Sequence, residues 1–203
     1  GGGRVIGGEQ FRFDKADHSY WLGKTRLLSV TEVIQLAGLK DLSRIDPGVL
    51  EHASKRGTAV HAACHYLDEG DLDWATVSPE IEPYVRAWER FKADTGVIIN
   101  ETEQPLYHAT MGFAGTPDRI IQLNGQAGTL DIKTYDPDNT TGVQLAGYSY
   151  LRFGPQRVYD TPERWGLWLK NDGRYSFKEY EDRGDEAVFL ACLTIAKFKR
   201  SQK

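Results

Sequence analysis

Asn124-Gly125 lies between two runs in which apolar residues alternate, Thr116 to Leu123 and Gly128 to Thr134. A two-residue hairpin turn needs positive φ at both central positions, which Asn and Gly tolerate better than any other pair. With the turn centred there, the residue numbers of cross-strand partners sum to 249, which sets Asp118 directly opposite Asp131. Lys133, two residues beyond Asp131, falls on the same face. A longer loop taking in Gln126 and Gly128 would shift this register, so the opposition of the two carboxylates is an expectation. Like charges directly opposite each other on a ladder repel unless something compensates them. A hard cation does so, because Mg²⁺ prefers oxygen ligands. The bland alternative is a pair of solvated aspartates on an exposed hairpin face. Aspartate is nevertheless depleted in strands, and two on one face beside a lysine are unusual.

The rest of the chain surrounds this hairpin with both helical and strand patterns. Gln10 to Val30 partly alternates (Phe11, Phe13, Tyr20, Leu22, Leu28) and reads as short antiparallel strands with a turn at Gly23. Ser29, with Glu32 three residues later, forms the capping signal of a short helix. Asp46-Pro47 opens a helical stretch to about Glu69, with a break expected at Gly57. Ser78-Pro79-Glu80 starts a helix whose apolar positions Ile81, Tyr84, Val85, Trp88 and Phe91 recur at helical spacing, ending near Gly96. Val97 to Leu106 reads as one strand, Gly142 to Leu151 as a helix, Arg164 to Lys170 and Tyr175 to Tyr180 as a hairpin, and Asp185 to Lys199 as a closing helix. Such an order predicts an α/β fold, a central mixed β-sheet flanked by α-helices. Residues 4–203 form a single domain in this reading, with Gly1 to Gly3 set aside as a cloning remnant. Trp74, Trp88, Trp165 and Trp168 are assigned to the core.

Composition narrows the chemistry. Only two cysteines, Cys64 and Cys192, are present, too few for a four-thiolate zinc or iron–sulfur site, so no iron–sulfur cluster is expected. No apolar run approaches the roughly 18 residues of a membrane span, and no secretion signal opens the chain. Free thiols in a cytoplasmic setting follow from that reading. A net charge of -4 argues weakly against a general polyanion binder, although local basic patches and bound cations outweigh the total.

The runs Gly115-Thr116-Pro117-Asp118 and Leu130-Asp131-Ile132-Lys133-Thr134 resemble the PD-(D/E)XK nuclease signature. Arg56-Gly57-Thr58-Ala59-Val60-His61 resembles the histidine motif of the RecB-like branch, which includes single-domain phage and mitochondrial exonucleases. Glu103 stands before the Gly-x-x-Asp element, where that branch often carries an acidic residue, and Gln144-Leu145-Ala146-Gly147-Tyr148 resembles its Q-x-x-x-Y helix. These motifs occur in family order between residues 56 and 148.

The resemblance implies that Asp118 and Asp131 ligate Mg²⁺ or Mn²⁺, with the Ile132 carbonyl and His61 as further ligands and Glu103 completing the shell. Glu101, two residues from Glu103, is the alternative acid. Lys133 would position the attacking water, and Gln144 and Tyr148, one turn apart, would orient the lysine or meet DNA. Their bland readings are a lysine paired with Asp131 and simple helix packing. His61 and His65 lack the adjacent glutamate and third ligand of a zinc site. Lys40, Arg44, Lys55 and Arg56 precede or open the histidine motif and are the expected phosphate contacts, with Lys197, Lys199, Arg200 and Lys203 crowding the C-terminus. Tyr135 and Tyr150 could stack bases. The expected function is a divalent-metal-dependent DNA exonuclease acting on DNA with a free end. The alternatives are a structure-specific or restriction-type endonuclease and a non-catalytic DNA-binding module on the same fold.

Overall fold

The protein is described by a computed structural model, covering residues 5–6, 9–41, 43, 45–157 and 161–202. It has the expected α/β architecture, with two mixed sheets and flanking helices rather than a single central sheet.

The first sheet begins with β1 (Val5–Ile6), β2 (Glu9–Asp14), β3 (Ser19–Leu22) and β4 (Thr25–Ser29), an antiparallel meander. Ser29 ends it and starts α1 (Val30–Ala37) through the expected capping box: its hydroxyl accepts from the Glu32 amide while the Glu32 carboxylate accepts from the Ser29 amide. Asp46 caps α2 (Pro47–Glu69), accepting from the Gly48 and Val49 amides. This helix does not break at Gly57. Glycine costs a helix interior only about 1 kcal/mol relative to alanine, and the 23-residue helix, capped at Asp46 and packed through Val60 and Cys64, absorbs it. Ser78-Pro79-Glu80 forms a turn rather than a helix start, and α3 (Glu82–Thr95) begins later, ending on left-handed Gly96.

The segment expected as one strand from Val97 to Leu106 divides into β5 (Ile98–Thr102) and β6 (Leu106–His108), which join different sheets. The divide follows a bulge at Asn100 and a reversal at Glu103, whose φ is 46°. β7 (Phe113–Gly115), too short to show a period, completes the first sheet by pairing parallel to β4 and antiparallel to β6.

The central hairpin comprises β8 (Arg119–Leu123) and β9 (Gln126–Lys133), turning at Asn124 (φ 51°) and Gly125 (φ 82°). Its partners run from Leu123↔Gln126 to Arg119↔Leu130, the register expected from the turn. After α4 (Thr141–Phe153), β10 (Glu163–Leu169) pairs parallel to β9, β11 (Tyr175–Glu179) returns beside it, and α5 (Gly184–Ser201) closes the described chain. The second sheet has the order β11-β10-β9-β8-β5.

Strand alternation divides β9 between two environments. Leu130 and Ile132 join Val60 and Cys64 of α2, Trp88 and Phe91 of α3, and Trp165 and Leu167 of β10 in one apolar core. Asp131 and Lys133 face α4, which packs with α1 and α5 over a second core containing Val143, Tyr148, Phe189 and Leu193. Trp88, Trp165 and Trp168 are buried as expected, whereas Trp74 is half-buried beneath Arg86, whose guanidinium stacks 3.5 Å from the ring centre. Among the described residues no helix is long and apolar enough to cross a membrane.

Candidate active site

At the C-terminal end of β9, the backbone of Ile132 is the hub of the candidate site. Its amide donates to Asp118 Oδ2 at 2.6 Å, and its carbonyl lies 3.0 Å from His61 Nε2. The side chain of Ile132 meanwhile anchors in the core, so this backbone has little freedom to move. Asp118 does not sit in a ladder pair with Asp131, because β8 begins one residue later. Its carboxylate instead reaches across to the next amide of β9. The opposition expected from the register therefore survives as proximity and not as a cross-strand pair; negative charge on Asp118 still acts on Asp131.

On the α2 side, His61 Nδ1 lies 3.4 Å from Asp118 Oδ1 and 3.9 Å from Glu103 Oε1. The three side chains are partly open, at 24%, 16% and 42% exposure. Glu103 arrives by its left-handed turn, with its amide donating to the Asp118 carbonyl at 3.1 Å. Glu101 is turned elsewhere, its carboxylate held by Arg152 at 2.6 Å. Glu101 lies within β5 while Glu103 follows its end in a left-handed conformation, so the two acids point differently, which alternation along a regular strand could not disclose.

On the α4 side the contacts are closed. Asp131, 2% exposed, lies 2.6 Å from Lys133 Nζ, although the contact is too poorly directed to give the buried oxygen a good hydrogen bond. Lys133 also donates to Gln144 Oε1 at 3.3 Å, and Gln144 Nε2 donates to the Tyr148 hydroxyl at 3.1 Å. Burial raises the Asp131 carboxyl to about 6, against the pull of Lys133 and with a further push from Asp118. Burial works against the Lys133 ammonium, but Asp131 and its neighbours more than offset it, and the lysine stays protonated. Desolvation likewise keeps the Tyr148 phenol neutral.

The expected nucleic-acid residues are less concentrated. Arg56 donates to the Thr134 carbonyl at 3.2 Å and lies over Tyr84, a tie to the end of β9. Lys55 projects into solvent and pairs with Glu51. Lys40 pairs with Asp138 at 2.7 Å over the ring of Tyr135, and that partner holds the Asp138 carboxyl down, at about 2, despite partial burial. Arg44 and Lys203 lie outside the described residues. Tyr135 is 41% exposed, whereas Tyr150 is half-buried against the second core. Sequence reasoning missed Arg119, which is fully buried beside Asp118 and donates to the Asp118 carbonyl at 2.8 Å. The sequence signal was a charged residue at the head of the apolar Ile120-Ile121 stretch, directly after Asp118.

The carboxylates of Asp118, Asp131 and Glu103 and the Ile132 carbonyl are oxygen donors of the kind a hard cation prefers, with the softer His61 imidazole beside them. The set is not a finished cage. Among the described residues no three His, Cys, Asp or Glu side chains are gathered closely enough to hold a metal ion as they stand. His61 and Asp118 are engaged with Ile132, and Asp131 with Lys133, so occupancy requires these side chains to exchange partners.

No family model and no curated protein matches the chain. Among solved structures it is similar to an alkaline exonuclease, LHK-Exo, from Laribacter hongkongensis, at 19% identity over 87% of this chain and 93% of that chain, with a TM-score of 0.36. The same exonuclease in complex with dAMP gives 18% identity, the same coverage and a TM-score of 0.32. A likeness that loose says nothing by itself of this chain's activity.

Proposed function

We propose that this chain is a divalent-metal-dependent DNA nuclease that hydrolyses phosphodiester bonds from a free end. The observation that carries the reading is the gathering of Asp118, Glu103 and His61 on one side of Ile132, with Asp131 and Lys133 immediately on the other. A Mg²⁺ or Mn²⁺ ion held by Asp118 and Asp131, with Glu103, His61 and the Ile132 carbonyl around it, would supply Lewis acidity toward the phosphate and toward water. Lys133, kept charged and aimed by Asp131 and Gln144, would offset negative charge on the scissile phosphate and orient the attacking water. Gln144 accepts from the lysine and is itself held by the buried Tyr148 hydroxyl, so the pair would fix the lysine's position. DNA, a setting in repair, recombination or replication, and a cytoplasmic location follow from the resemblance of residues 56–148 to single-domain exonucleases, as does the preference for ends.

Degradation of end-labelled linear DNA and covalently closed circles, compared in Mg²⁺, tests the reading. Linear strands should be shortened stepwise while circles survive. Circles cut as fast as linear DNA would replace end-dependent attack by endonuclease action, and no cleavage of either would remove the nuclease reading.

A further inference from the structure

Arg119 is fully buried, and a guanidinium in that position costs several kcal/mol unless it is well paired. Its principal partner is Asp68, 8% exposed, whose Oδ2 lies 3.1 Å from Arg119 Nε and 3.0 Å from a terminal nitrogen. Asp68 Oδ1 accepts from Trp88 Nε1 at 2.8 Å and from Lys92 Nζ at 2.7 Å. One carboxylate therefore faces two cations, leaving a surplus positive charge. An ion pair that served only to hold α2 and α3 on the sheet would not need that surplus.

The free prong of the guanidinium shows where it is directed. Arg119 NH1 donates to the Asp118 carbonyl at 2.8 Å and lies 4.0 Å from Glu103 Oε1, the next carboxylate within reach. The Asp118 carbonyl also accepts from the Glu103 amide, so Arg119 completes a junction between the two acids. Asp68 follows His61 on α2 by seven residues, two turns along the same side of the helix. Along this side α2 makes polar contact with the hairpin strands at His61 on Ile132 and, two turns on, at Asp68 on Arg119.

We propose that Arg119, anchored by Asp68, is a positioning residue that keeps Asp118 and Glu103 in register with His61 and supplies the positive charge that draws the Glu103 carboxylate to the site. This rests on the proposed metal-dependent reading and names residues outside its ligand set. Lysine at 119 would keep a charge against Asp68, but its single ammonium could not also reach the Asp118 carbonyl and Glu103.

The test is Mn²⁺ binding to the full chain by titration calorimetry without DNA, with melting followed in parallel, for wild type, Arg119→Lys and Asp68→Asn. Both variants should fold and lose about tenfold or more in Mn²⁺ affinity, the range typical of residues that orient ligands without touching the metal. In cleavage, kcat should fall similarly while KM for DNA stays within about twofold. Adding Arg119→Lys to Glu103→Gln should cost little more affinity than Glu103→Gln alone. Wild-type Mn²⁺ affinity in a folded Arg119→Lys would overturn the proposal while leaving the function standing, and failure of both variants to fold would assign the cluster to stability alone. Absence of Mn²⁺ binding in wild type would overturn the functional reading and this proposal together.

Discussion

The two sides of Ile132 differ in kind. Toward α4, buried Asp131, Lys133 and Tyr148 and half-buried Gln144 are joined by contacts of 2.6, 3.3 and 3.1 Å. Toward α2, His61, Asp118 and Glu103 are partly open and stand 3.4 to 3.9 Å apart, beyond hydrogen-bonding distance for the most part. A buried polar chain has one favourable arrangement and is costly to disturb, while open carboxylates can turn toward a cation or a substrate at little cost. The closed side fixes the lysine, and the open side is where ligand exchange is expected. Substitutions on the two sides should therefore fail differently.

The largest effect should be on turnover. Lys133→Met should lower the rate of DNA cleavage by about a hundredfold or more, in the range of a lost charged group at a reacting centre. Gln144→Ala, which leaves the ammonium in place but less well held, should cost roughly a tenth of that loss. Steady-state rates on one linear substrate would decide it, and equal losses would mean that Lys133 acts only as part of the buried chain.

Stability should show the reverse asymmetry between the two aspartates. Asp131→Ala leaves the Lys133 ammonium buried without its partner and should cost about 3–5 kcal/mol in denaturant unfolding. Asp118→Ala removes a carboxylate that accepts one backbone amide at a partly open position, and should cost about 1–2 kcal/mol. Comparable losses would erase the distinction between a closed and an open side.

A smaller effect follows from the raised Asp131 carboxyl. In EDTA the folded chain keeps that proton to about pH 6, whereas the unfolded chain releases it near an ordinary carboxylate value of about 4. The folded state therefore binds more protons in that window. Its stability contribution is fully present below about pH 4 and is lost as pH rises toward 6. The unfolding free energy of wild type relative to Asp131→Asn should fall between pH 4 and 6, and Mg²⁺ should flatten the slope, since ligation favours the ionised form. A flat difference in EDTA would show that Asp131 is ionised throughout.

Most of the closed side could be read from the chain itself. The Asn124-Gly125 turn fixes the β8–β9 register, and strand alternation puts Asp131 and Lys133 on one face. The open side depends on departures from regular structure. Asp118 lies just before its strand, Glu103 is delivered by its own positive φ just past the end of β5, and α2 runs unbroken through Gly57. None of these leaves a periodic trace, so pattern alone could not choose between Glu101 and Glu103 or disclose Arg119. The division into two sheets was hidden for a related reason: β6 and β7, which complete the first sheet, are three residues each, too short for alternation to register.

If hydrolysis takes place at this site as proposed, it needs a hard cation held by Asp118. Cleavage of end-labelled linear DNA should be measured for wild type and Asp118→Asn in EDTA, then after Mg²⁺ is restored in excess. Wild type should be silent in EDTA and recover fully with Mg²⁺, while Asp118→Asn, folded by its melting curve, should stay silent in both. Undiminished cleavage by wild type in EDTA, or Mg²⁺-restored cleavage by Asp118→Asn at the wild-type rate, would contradict the account.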